Sequence, residues 1–146
     1  MIKVVNLKSY GWLGTHYIGR SNPKMGLPGS ALANPFRIGV HGNRQAVVQA
    51  YRRWLWQQVK AGLFDGVETA AFLELMALAR QNKAGHQLKL SCYCPPLLCH
   101  GYVIIRCIQW LIDGGYITYS SPKSLVAKFH NKKVWGNQIF DHQQKT

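Results

Sequence analysis

Carboxylates are the scarcest groups in this chain. Five Asp and Glu stand against 18 Lys and Arg in 146 residues, a formal net charge of +13. None of the five lies between Met1 and Phe64; they are Asp65, Glu68, Glu74, Asp113 and Asp141. A hydrolase built on two facing carboxylates, or a Mg²⁺ site built from several acids, does not fit that supply. Asp65 and Glu68 are three apart before a helical stretch, a spacing that suits helix capping. Glu74 falls farther along the same stretch and is expected on its wet face. Catalysis, if there is any, then has to run on Cys, His, Lys, Arg, Tyr or backbone amides. Apolar runs of membrane-spanning length are also missing, as are internal repeats and low-complexity tracts. Met1 to Leu7 reads as a strand rather than as a cleavable leader, and the expectation is a soluble, cytoplasmic protein with no membrane partner.

The surplus is basic. Lys3, Lys8, Arg20, Lys24, Arg37, Arg44, Arg52, Arg53 and Lys60 fill the acid-free stretch. Such a surface attracts polyanions, so the expected partner is a nucleotide or a nucleic acid, DNA and RNA not being distinguished. The competing account is ordinary solubility charge.

Hydrophobic patterning gives the architecture. Ile2 to Leu7 and Thr15 to Gly19 read as strands, and Ser21 to Gly39 as a long loop whose Asn34-Pro35-Phe36-Arg37 suggests order. Asn43 is a natural N-cap for a helix with Val47, Ala50, Tyr51, Trp54 and Leu55 on one face, which Gly62 is expected to stop. Trp56 lies off that face, free to stack on a base or to cover the loop. A second helix is predicted from Val67 to Arg80, a strand from Leu88 to Cys94, and a third helix from Tyr102 to Ile112, ended by Gly114-Gly115. Tyr116 to Tyr119 could add a short strand. Alternating strands and helices predict a small single-domain α/β three-layer sandwich with a short, mostly parallel sheet over residues 1–115. A basic C-terminal extension, 116–146, follows.

The most informative segment runs from Ser91 to Gly101, Ser-Cys-Tyr-Cys-Pro-Pro-Leu-Leu-Cys-His-Gly, which holds three of the four cysteines. Pro95-Pro96 extends neither strand nor helix, so the chain reverses there and a helix begins near Cys99-His100. Three readings stay open. Cys92, Cys94, Cys99 and His100 are one possible zinc ligand set, although Cys-x-Cys is not the usual spacing. Cys99 at a helix N-terminus is a candidate thiolate nucleophile, with His100 or a distant His16, His41 or His86 moving the proton. The bland account makes the cysteines small buried hydrophobes, as it does best for Cys107. Anion binding needs none of these decided: amides around Gly101, with Arg20, Lys24, Asn34 and Arg37, would surround a phosphate at the strand-to-helix crevice. A cofactor is then either absent or zinc.

Tyr17-Ile18-Gly19-Arg20, Asn34-Pro35-Phe36, Tyr51-Arg52-Arg53-Trp54-Leu55, Cys92-Tyr93-Cys94-Pro95 and Cys99-His100-Gly101 occur in that order. Together they resemble a small bacterial and phage family known as domain of unknown function 4326, over about Val4 to Ile112. The resemblance implies no activity. The passage Met25 to Ala33 is longer here than in the family pattern, and Tyr102 stands where the family often has an acid.

Two function classes follow. One is a phosphate-ligand-binding protein with a basic crevice at the Cys-His-Gly helix start, with or without catalysis by Cys99 and His100. The other is a non-catalytic, zinc-stabilised nucleic-acid-binding module.

Overall fold

A computed structural model describes residues 1–118. The elements run β1 (Ile2–Asn6), α1 (Leu7–Tyr10), β2 (His16–Tyr17), α2 (Arg44–Phe64), α3 (Ala70–Lys83), β3 (Leu88–Cys92) and α4 (His100–Asp113), with a 3₁₀ turn at Pro23–Met25. The three strands form one parallel sheet in the order β1-β3-β2. The chain is therefore a small α/β domain, and no described helix is long and apolar enough to cross a membrane.

β3 is central, and its sequence shows it: Leu88, Leu90, Ser91 and Cys92 are all buried. Period-two alternation sends Val4 and Leu90, partners in register, toward the helices. Lys3 and Lys89, the neighbouring pair, turn to the other face, where both ammonium groups lie over the Tyr10 ring of α1. α3 and α4 pack on each other and on β3, and α2 packs against both.

Each helix begins where a side chain can serve its free amides. Asn43 accepts from the Ala46 N–H at 2.9 Å, as expected for α2. For α3 the cap is Thr69, which accepts from Phe72 N–H at 3.2 Å; Asp65 instead closes α2, so the anticipated Asp65/Glu68 capping pair does not form. Gly62 does not stop α2 either. It lies inside the helix because the Phe72 ring occupies the space a Cβ would need. Gly101 plays the same part in α4: an added Cβ would meet Val4 at 2.9 Å and Ile18 at 3.0 Å, so glycine lets the helix start lie on β1 and the end of β2. Val103, Ile104, Cys107, Ile108 and Leu111 form the buried stripe of α4, and Gly114 caps it.

Three further expectations need correction. β2 is only two residues long, since the chain beyond Ile18 turns away to start the long loop. Tyr116 to Thr118 is not strand; Tyr116 and Ile117 are buried in the core, Tyr116 stacking on Trp110 at 4.7 Å. Trp56 is not free for a base, because it packs edge-on against Trp110 and Phe64. The basic extension lies outside the described residues from 119 onward.

Candidate functional site

Parallel sheets present their ligands at the carboxyl ends of the strands, where strand-to-helix turns diverge. Here that edge is where β2 and β3 end, at Tyr17 and Cys92, and a cleft of about 560 Å³ opens there. Three walls form it: the end of β2 through Asn22, the loop and helix start from Asn34 to Val48, and the cysteine turn from Cys92 to His100.

The loop wall is ordered, as its Asn-Pro-Phe segment suggested, and long-range bonds hold it. Glu74 of α3 is the main anchor. Its Oε1 accepts from Ser30 Oγ at 2.5 Å and His16 Nε2 at 2.8 Å, and its Oε2 from the Ala31 N–H at 2.9 Å. Burial alone would raise the Glu74 pKa, but these hydrogen bonds more than offset it and the value is lowered. Glu74 is thus not on a wet face. The buried Tyr51 hydroxyl donates to Leu32 O at 2.7 Å. Arg20 donates through Nη2 to Asn34 O at 2.6 Å and Phe36 O at 3.0 Å, pinning the loop while still lining the cleft.

The cysteine wall is fixed from two sides. Asn6, at the end of β1, donates from Nδ2 to Tyr93 O at 3.1 Å and Pro95 O at 2.5 Å, while its Oδ1 accepts from the Lys8 and Ser9 amides. His100, almost fully buried, has Nε2 at 2.9 Å from Ile18 O. A carbonyl only accepts, so Nε2 carries the proton and Nδ1 presents a lone pair, 3.7 Å from Cys99 Sγ. Burial pushes the His100 pKa down, against the pull of the Ile18 carbonyl. The imidazole is a neutral bracket between the start of α4 and the end of β2.

The three sulfurs of Cys92, Cys94 and Cys99 all lie within 4.8 Å of one another, so the residues could hold a metal ion. Cys92 and Cys94 are 3.8 Å apart. The three thiols shift one another in opposite directions. Hydrogen bonds from Cys92 and Cys99, with Arg44 beside it, lower the Cys94 pKa. Cys99 goes the other way: its proton is held toward Cys92 and Cys94 and its sulfur is fully buried, so its pKa is raised. Cys92 is raised as well, chiefly through Cys94. The helix start therefore does not make Cys99 the low-pKa thiol. Its sulfur instead caps α4, accepting the Gly101 N–H at 3.3 Å.

Of the residues singled out from the sequence, Arg20, Asn34, Arg37, Cys92, Cys94, Cys99 and His100 meet around this cleft. Lys24 and Gly101 do not line it. Lys24 lies on the exposed 3₁₀ turn, and Gly101 faces the core with its amide already taken by Cys99; the Tyr102 amide likewise bonds Cys99 O. The helix start is thus not an open anion nest. None of the distant histidines enters: His16 is held by Glu74, His41 accepts the Arg37 N–H at 2.9 Å, and His86 lies at a separate depression. His100 joins the cleft but not the mutual sulfur cluster. Sequence reasoning missed Arg44, Asn6, Tyr93 and the anchoring role of Glu74. Arg44 was visible as one more acid-free arginine, but nothing local marks Asn6 or Glu74.

The comparisons with known proteins follow the same residues. Residues 5–110 match the family described as Domain of unknown function (DUF4326), a span that includes every wall of the cleft. No curated protein and no solved structure matches the chain. The chain belongs to the DUF4326 family.

Proposed function

We propose that this protein binds a phosphate-bearing ligand, a nucleotide or the end of a nucleic-acid strand, in the cleft between the Arg20 turn and the cysteine turn. The observation that carries this reading is the lining itself. Arg20, Arg37 and Arg44 line the cleft and, among the described residues, no carboxylate does. Three arginines in one lining attract an anion, and arginine forks suit phosphate oxygens. The rest of the lining supports a nucleoside: Tyr17 and Tyr93 meet edge-on at 6.4 Å, and Phe36 lines the cleft from the loop. Aromatic faces of this kind stack bases without demanding a sequence. The volume falls within the range of small-ligand sites. A thermal-shift screen of mononucleotides and short oligonucleotides tests it, with binding repeated across a salt series. Stabilisation by phosphorylated but not by unphosphorylated nucleosides supports the reading; affinity indifferent to salt overturns it.

One observation favours the second reading, a zinc-stabilised module without catalysis. Three converging cysteines match the chemistry zinc prefers. In this reading Cys92, Cys94 and Cys99 hold the ion, and the cytoplasm's reducing environment keeps them as thiols. Metal analysis of the purified protein decides it: one zinc per chain supports it, and none removes it.

A further inference from the structure

We infer that a metal ion at Cys92, Cys94 and Cys99 keeps one coordination position open toward the arginine cleft, to be filled by water or by an oxygen of the phosphate-bearing ligand. This rests on the cleft reading above and sharpens it: the metal would belong to the ligand site rather than only to the scaffold.

The geometry supplies the argument. With zinc–sulfur bonds of about 2.3 Å, a tetrahedral site has sulfur–sulfur edges of about 3.8 Å. Cys92 and Cys94 already stand at 3.8 Å, and the third sulfur lies within 4.8 Å of both. The third sulfur is thus within about 1 Å of the separation such a triangle needs. Closed zinc sites take four protein ligands, whereas open ones take three. Among the described residues the cluster stops at three: no other His, Cys, Asp or Glu joins it. His100 is the nearest candidate, with Nε2–H on the Ile18 carbonyl and Nδ1 3.7 Å from Cys99 Sγ, but it is not among the groups that lie within 4.8 Å of one another.

The direction of the open position follows from where the cysteines sit. All three cysteines belong to the cleft lining with Arg20, Arg37 and Arg44, and Cys94 is the least buried of them, so the cleft is the side from which a further ligand would reach the cluster. Charge agrees. Three thiolates on a divalent ion leave a net charge of −1, which suits a site walled by arginines. Arg44 is tied to the cysteine turn itself, donating through Nη1 to Leu98 O at 3.2 Å. A ligand oxygen reaching the metal would therefore have a guanidinium beside it.

Cobalt(II) substitution tests this on the full chain. Metal-free protein in a non-thiol reductant is titrated with cobalt, and the visible bands of sulfur-ligated tetrahedral cobalt are followed. Inorganic phosphate and 2-mercaptoethanol are then added separately. We expect one cobalt per chain and a band shift with at least one of the two probes, the phosphate response weakening about tenfold in Arg44→Ala. Cys107→Ser should leave the titration unchanged, and Cys94→Ser should abolish the bands. Failure to bind cobalt, or bands unmoved by both probes, overturns the inference. The cobalt experiment uses no nucleotide. A negative nucleotide screen with responsive bands therefore removes the cleft ligand and keeps the open site, while nucleotide binding without cobalt does the reverse.

Discussion

Replacing Glu74 with glutamine is the sharpest test of how the cleft is held. The side chain keeps its shape but loses its charge and gains an N–H₂ group. With the native contacts retained, the amide oxygen can still serve Ser30 and His16, while the new N–H₂ faces the Ala31 N–H, donor against donor. One partly buried amide is left without an acceptor, a loss of about 1–3 kcal/mol. The two remaining bonds lose charge assistance, which roughly halves them. Glu74 is about one-fifth exposed, which trims the sum. The expected destabilisation is about 2–3 kcal/mol in urea unfolding at pH 7, or a Tm lower by about 10 °C for a chain of this size. The pH dependence has a fixed sign. The folded pKa of Glu74 is depressed, so its stabilisation is complete above the unfolded carboxylate range and disappears as pH falls through the folded value. The gap between wild type and Glu74→Gln should therefore narrow on acidification. A gap below about 0.5 kcal/mol at pH 7, or one that widens toward low pH, would refute the reasoning.

Three other outcomes follow from the same contacts. Asn6→Ala removes both anchors on the cysteine turn and the cap of α1, and should cost about 2 kcal/mol in urea unfolding while weakening cobalt binding; unchanged cobalt affinity would show that the turn holds its shape without Asn6. Gly101→Ala forces a methyl against Val4 and Ile18 and should destabilise by about 1–3 kcal/mol despite the better helix propensity of alanine; a rise in Tm would mean that α4 can shift away from the sheet. In metal-free folded protein, iodoacetamide followed by peptide mass mapping should mark Cys94 first, because it is the least buried of the four cysteines, and Cys107 only after unfolding; early labelling of Cys107 would contradict the packing of α4.

What the sequence disclosed was mostly local. The proline pair and the following apolar stripe located the strand-turn-helix that carries the cysteines, and Asn43 marked the start of α2, because caps and periodicity act within a few residues. The convergence of Arg20, Asn34 and Arg37 on that turn followed from parallel topology, which brings strand ends to one edge. What remained hidden acts across long separations. Asn6 reaches Tyr93 and Pro95 nearly 90 residues away, and Glu74 reaches a loop more than 40 residues back. Neither contact alters a hydrophobic period, so neither leaves a trace that spacing can find. Glu74 even occupied a position that helical periodicity assigns to solvent. The pKa order within the cluster was hidden too. A helix start favours a thiolate at Cys99 in isolation, yet two neighbouring thiols and Arg44 transfer that preference to Cys94 once the turn has folded.

These hidden contacts decide what kind of site the cleft is. Ile18 shows why: its amide bonds Ser91 O, its carbonyl holds His100, and its side chain packs against Gly101. One residue thus fixes the end of β2 to both β3 and α4. Asn6 does the same for the cysteine turn and Glu74 for the loop, so each wall is held by bonds that point away from the cleft. A ligand entering it has no wall to order, and its binding energy need not be diminished by that cost. The same logic applies to the sulfurs. Zinc usually organises small domains that lack a core, and their folding then depends on the ion. Here Cys99 packs within a hydrophobic core that extends through α2, α3 and α4. An ion at this position would add chemistry or affinity to the cleft rather than create the fold, which is why a response of the metal to cleft ligands, and not loss of structure on chelation, is the property to measure.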